Sequence, residues 1–202
     1  MVVLPNLESY IEALQNGNAI EPFDLESEPN APELKELVKK LFESGRFRLT
    51  YRKRLIKELI NCLHKSSYIK QTEIKFPVFS KKRAFMSDSG YISISCGFIL
   101  MCQGARFGKV LLHEIAHLSL LSKEWYPSLL ALDREYLDRF KGVKGAITLS
   151  PTEYLATRVS ILLMQYVKSA TENSACGELL AREIKGEEFK LNEALAEIFV
   201  KN

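Results

Sequence analysis

Cysteine, histidine and long apolar runs are all in short supply in this chain. It has 4 cysteines in 202 residues, at Cys62, Cys96, Cys102 and Cys176, and no pair has C-x-x-C spacing. That is too few for a disulfide scaffold, and the simplest reading is reduced thiols in a cytoplasmic protein. No run approaches the roughly 18 apolar residues that a membrane-spanning helix needs, so no membrane association is expected. The stretch from Met1 to Ile20 lacks a basic n-region and already contains Glu8 and Glu12, so a signal peptide is not expected either. The sequence contains no internal repeat and no low-complexity segment. Histidine is the scarcest of these residues: 3 in all, at 64, 113 and 117.

What is present fits one globular domain or a domain with an appendage. Hydrophobic residues make up 47% and charged residues 26%, ordinary values for a chain long enough to bury its own core. The net charge of +3 conceals a strong segregation. Residues 1–34 carry seven acidic side chains and no basic one, whereas residues 35–83 carry fifteen basic and four acidic. Residues 1–34 therefore read as an acidic N-terminal arm, and 35–202 as the domain proper, with a core at about 73–168. The expectation is that the arm folds back over the basic block. The other use of such a block, nucleic-acid binding, lacks an accompanying aromatic-interleaved motif.

Periodicity predicts an α+β fold, mostly helical, with one small sheet. Leu7, Ile11 and Leu14 mark a short apolar-periodic piece, followed by a connector with Pro22, Pro29 and Pro32. Helices are expected over 33–43 and 48–65, with His64 near the end of the second, where a cation suits the helix C-terminus. From Glu73 the period changes to two. Strands at 74–78, 84–87 and 91–95, separated by turns at 81–83 and 88–90, predict an antiparallel meander. Its last strand, with Tyr91, Ser93 and Ser95 on one face, would form a rim for an extended peptide. Further helices are expected at about 105–122, 128–140, 151–169, 174–185 and 187–201.

The helix at 105–122 contains Val110-Leu111-Leu112-His113-Glu114-Ile115-Ala116-His117-Leu118, an H-E-x-x-H pattern in an uncharged apolar run. Histidines four apart stand one above the other on a helix face, so both imidazoles can reach one metal ion. The glutamate after the first histidine is offset around the helix, beside the metal rather than on it, where it can act as a general base. Neutral imidazoles suit Zn2+, which keeps a position open for water. A helix apolar almost all round is a buried one, and buried histidines and glutamate need partners.

Catalytic zinc takes three protein ligands. The all-histidine extensions of the motif fail, because Leu120, Ser122 and Lys123 stand where glycine or histidine would be required. A downstream carboxylate is therefore needed, and there are three candidates. Glu153 opens a helix with the small residues Ala156, Thr157 and Ser160 above it on the same face. Ser150-Pro151-Thr152-Glu153 also has the form of a capping box, which would turn Glu153 back to the Ser150 amide. Asp133 lies within the apolar stripe Leu129, Leu130, Tyr136, Leu137 and Phe140, where a carboxylate wants a cation. Glu135 shares a polar face with Arg139.

The HEIAH motif followed by Glu153-Tyr154-Leu155-Ala156-Thr157 resembles the gluzincin clan of zinc metallopeptidases. Within the clan the layout is most similar to ImmA/IrrE-type domains, and more distantly to the catalytic part of HtpX-type peptidases. The resemblance covers about residues 73–168. It implies a zincin-like fold, His113, His117 and Glu153 as zinc ligands, Glu114 as general base, and hydrolysis of a protein or peptide substrate in the cytoplasm. Thr157 stands where Asp or Asn is common in the clan. An oxyanion would need one further donor; Tyr154 is placed first for that catalytic role, with Tyr136 and Arg158 as alternatives. The competing reading is a non-catalytic, zinc-stabilised regulatory or binding domain for a protein or nucleic-acid partner, the latter held through residues 35–83. In a third reading the acidic arm covers the cleft and keeps a peptidase latent.

Overall fold

A computed structural model of the chain describes residues 6–17, 31–44, 48–66, 68–78, 84–87, 90–102, 104–169, 171 and 173–200. Pro22 and Pro29 of the connector, and the expected turns at 81–83 and at Asp88 and Ser89, lie outside these. The elements in order are α1 (Leu7–Gln15), α2 (Ala31–Glu43), α3 (Leu49–Lys65), β1 (Glu73–Lys75), β2 (Ala84–Met86), β3 (Tyr91–Ile94), α4 (Cys96–Met101), α5 (Gly104–Leu121), α6 (Tyr126–Arg139), α7 (Pro151–Ser169) and α8 (Ala175–Leu195). The described residues are thus mostly helical, with one small sheet, as the periodicity predicts.

Helix α5 is the hub. It packs against α2, α7 and α8 and against strands β2 and β3. Leu111, Leu112, Ile115, Ala116, Leu118 and Leu120 are all buried, which is what a helix apolar on nearly every side requires. Gly108 lets α2 approach: a Cβ at this position would come within 2.6 Å of the Phe42 ring, itself buried. Behind the helix, Lys109 reaches Glu183 and Glu187 on α8, at 3.1 Å each, and Lys190 holds Glu187 at 2.9 Å. Burial pushes the Glu187 carboxyl up, but the two lysines outweigh it and hold the group below its ordinary value.

Three expectations are corrected. The sheet is not a meander: its order is β1-β3-β2, with β1 parallel to β3 and β2 antiparallel to β3. The strand expected to be the rim, β3, is therefore the central one, and β2 lies at the edge. The two C-terminal helices are one, since α8 runs through Gly186 and continues as a π-helical turn, Ala196–Val200. A glycine inside a helix costs about 1 kcal/mol. Burial of Leu180, Ile184, Leu191 and Ala194 along one side, together with the Glu187 ion pairs, outweighs that cost. Lastly, α1 belongs to the core rather than lying over it: Leu7, Tyr10, Ile11 and Leu14 are buried.

The segregated charges are partly spent inside the chain. Glu8 on α1 pairs with Arg139 on α6, outside the basic block. Arg52 is buried, donating to the carbonyls of Ile99 and Cys102 at the end of α4 while lying over the Phe107 ring. Lys53 stands over Phe76, and Lys75 over Tyr91. All four cysteines are buried and none is in a disulfide. Cys96 contacts the Phe76 carbonyl at 3.5 Å.

Because a methyl group at Gly108 would meet the buried Phe42 ring, Gly108→Ala is expected to destabilise the chain by about 1–3 kcal/mol. Urea denaturation measures this, and an unchanged midpoint would contradict the close approach of α2 to α5.

Candidate metal centre

Helices α5 and α7 pack side by side and bring three ligand groups to one point. His113 Nε2 and His117 Nε2 are 3.2 Å apart. Glu153 Oε2 is 3.1 Å from His113 Nε2, and Glu153 Oε1 is 3.3 Å from His117 Nε2. One ligand atom from each residue lies within 4.8 Å of the others. The two imidazole rings meet edge to face, at 85°, so both aim a nitrogen at the same carboxylate. The i, i+4 spacing on α5 accounts for the stacked histidines, and the small residues of α7, with Ala156 and Ser160 buried, allow its close approach.

The charges are complementary. Burial disfavours protonated His113, but the Glu153 carboxylate outweighs that and raises the histidine above its ordinary value. Burial likewise favours neutral Glu153, yet its hydrogen bonds to His113 and His117 hold it well below the usual carboxylate range. Three convergent donors with one carboxylate charge offer a divalent cation what it needs.

The competing third ligands are placed elsewhere. Asp133 Oδ1 accepts from the Thr152 N–H at 2.9 Å and from its hydroxyl at 2.7 Å. Asp133 is thus the cap of α7, provided by a neighbouring helix. The cation its buried stripe seemed to want is the positive end of a helix. The Ser150 amide donates to the Ile147 carbonyl, and the Glu153 carboxylate faces the histidines instead of closing a capping box. Glu135 is exposed and outside the cluster. His64 stands at the end of α3 with Nδ1 3.4 Å from the Ile69 carbonyl.

A cleft of about 480 Å³ opens over the cluster, lined by Ala84 and Met86 of β2, His113, Glu114, His117, Tyr126, Leu130, Asp133, Thr152 and Glu153. Glu114 is turned toward β2, where the Met86 amide donates to its Oε2 at 2.8 Å. Tyr154 is not among the lining residues; it is buried, with its ring edge-on to Tyr10. Tyr136 is buried beside the same Tyr10 ring. Neither tyrosine is among the residues that line the cleft. Arg158 is half-buried further along α7. None of the lining residues comes from α1. Sequence reasoning missed Met86, because a backbone amide carries no residue signature. It also missed the capping role of Asp133, for which Ser150-Pro151, a helix-start signal, is the available cue.

No protein-family model matches this chain, and comparison with curated proteins and with solved structures likewise finds no match. The functional reading therefore comes from the geometry of the cluster and cleft.

The directions of the two shifts fix how pH acts on the metal-free chain. His113, raised, contributes stability below 6.5 that fades as pH rises through its folded value. Glu153, lowered, contributes above 4.5 and loses that only in strong acid. The stability lost on Glu153→Gln is thus expected to be greatest between pH 4.5 and 6.5. It should shrink toward about pH 9 as His113 loses its proton. Thermal melts of the metal-free proteins measure it, and a loss that grows steadily with pH would contradict the pairing.

Proposed function

We propose that this chain is a zinc-dependent peptidase of the gluzincin type, with a zincin-like arrangement of helix, sheet edge and cleft. The convergence of His113, His117 and Glu153 within 4.8 Å at the floor of an open cleft carries the reading. The residues fit the metal: two imidazole nitrogens and one carboxylate oxygen are a known catalytic zinc set, leaving a position for water. A purely structural zinc site is closed by four protein ligands, whereas the cluster supplies three among the described residues. Openness and ligand number therefore favour a catalytic centre over the regulatory-domain reading.

Bound here, zinc would act as a Lewis acid and bring the acidity of a water toward neutrality. The chain's own part falls to Glu114. Its carboxylate takes a proton from the attacking water as the new C–O bond forms at the scissile carbonyl. It then returns that proton to the amine as the C–N bond breaks, so no net proton is consumed. The edge strand β2, rather than β3, is the rim along which an extended peptide would lie. A protein or peptide is the substrate class.

About one zinc per chain is expected in the wild type by elemental analysis, with zinc lost from Glu153→Ala under the same dialysis. Glu114→Gln should retain the metal and lose roughly 10²–10⁴-fold in peptide hydrolysis. Full activity in Glu114→Gln would overturn the proposed base, and zinc retained by Glu153→Ala would overturn the third ligand.

A further inference from the structure

The register of β2 sets which backbone groups face the cleft. The Ser87 amide donates to the Tyr91 carbonyl at 2.9 Å, so Ser87 points its polar groups inward at β3. Successive residues of a strand alternate, and Met86↔Ile92 and Ala84↔Ile94 are thus the pairs whose backbone groups on β2 face away from β3. Both outward-facing residues line the cleft. An outward amide on an edge strand is ordinarily open to water or to an added strand. That of Met86 is neither; it donates to Glu114 Oε2 at 2.8 Å, across 28 residues of chain. A bond from a neutral amide to an ionised carboxylate is among the stronger kinds. It fixes a side chain that would otherwise have several torsions free.

We infer that the Met86 amide is a positioning donor for Glu114. It holds one carboxylate oxygen against the sheet edge and leaves the other, Oε1, to face the reacting water. This rests on the peptidase reading and extends it: the edge strand orients the base as well as bordering the cleft. It also narrows how a peptide lies on β2. With the Met86 N–H committed to Glu114, the groups left for backbone pairing are those of Ala84 and the Met86 carbonyl.

Amide hydrogen exchange on the metal-free full chain tests the contact without reference to activity. Protection of the Met86 amide is expected to fall at least tenfold in Glu114→Ala. The Ser87 amide, bonded inside the sheet, serves as the internal reference. Unchanged protection at Met86 would overturn the inference. Met86→Pro removes the donor at an outward-facing edge position, where proline is tolerated. In the zinc-loaded chain it is expected to lower kcat at least tenfold with KM within threefold and zinc content intact. A raised KM with unchanged kcat would overturn the inference, since the amide would then serve the substrate instead of the base. A wild type that binds zinc and hydrolyses no peptide would overturn the peptidase reading, and the exchange result would still decide whether β2 holds Glu114.

Discussion

Helix α7 begins with the amide and the hydroxyl of Thr152 both donating to Asp133, and the position of Glu153 depends on that cap. The first turn of any helix leaves amides without intrahelical partners. Here a carboxylate from α6 takes one of them and so fixes where α7 starts relative to α6. Glu153 is the next residue, and its backbone direction follows. The loop entering α7 is held from the other side by Tyr10, whose hydroxyl donates to the Leu149 carbonyl at 2.6 Å. Two long-range hydrogen-bonding contacts thus bracket the residue that completes the cluster. A side chain far from the metal can matter greatly when it sets the angle at which a ligand arrives.

Helix α5 is stabilised by different means. Its apolar faces are buried against α2, α7 and α8, which frees His113, Glu114 and His117 from any structural duty in the core. Several ionisable side chains on it have partners. Lys109, one turn before His113, meets two carboxylates of α8; Glu114 meets a strand amide; the histidines meet Glu153. Half-buried ionisable groups that lack such partners would be costly. The polar arrangement is accordingly specific, and a divalent cation entering it would compete with protons for the same imidazole and carboxylate atoms.

Much of this was legible in the sequence, for identifiable reasons. The stacked histidines and the offset Glu114 follow from helix geometry over five residues, and α7 was bounded correctly by Pro151 and its apolar period. Local rules suffice there. What they cannot reach is pairing between distant segments. The strands were found, but β1 joins β3 in parallel across the chain between them, and nothing local specifies that order. The short helix α4 was missed because its six residues, Cys96–Met101, are too few to show a period. Gly186 read as a break because propensity ignores the tertiary contacts that carry α8 through it. Asp133 read as a candidate metal ligand because a carboxylate within an apolar stripe wants a cation; it is half-buried. The charge proved to be a helix terminus, contributed by a residue nineteen positions away.

X-ray absorption at the zinc edge of the zinc-loaded wild type addresses the metal centre most directly, because it reports the ligand atoms themselves. Two imidazole nitrogens at roughly 2.0–2.1 Å, recognised by the outer-shell multiple scattering of their rings, with the remaining first shell made of oxygen, are expected from His113, His117, Glu153 and water. A sulfur shell at about 2.3 Å, or a shell without histidine scattering, would place the metal elsewhere in the chain and contradict the proposed centre.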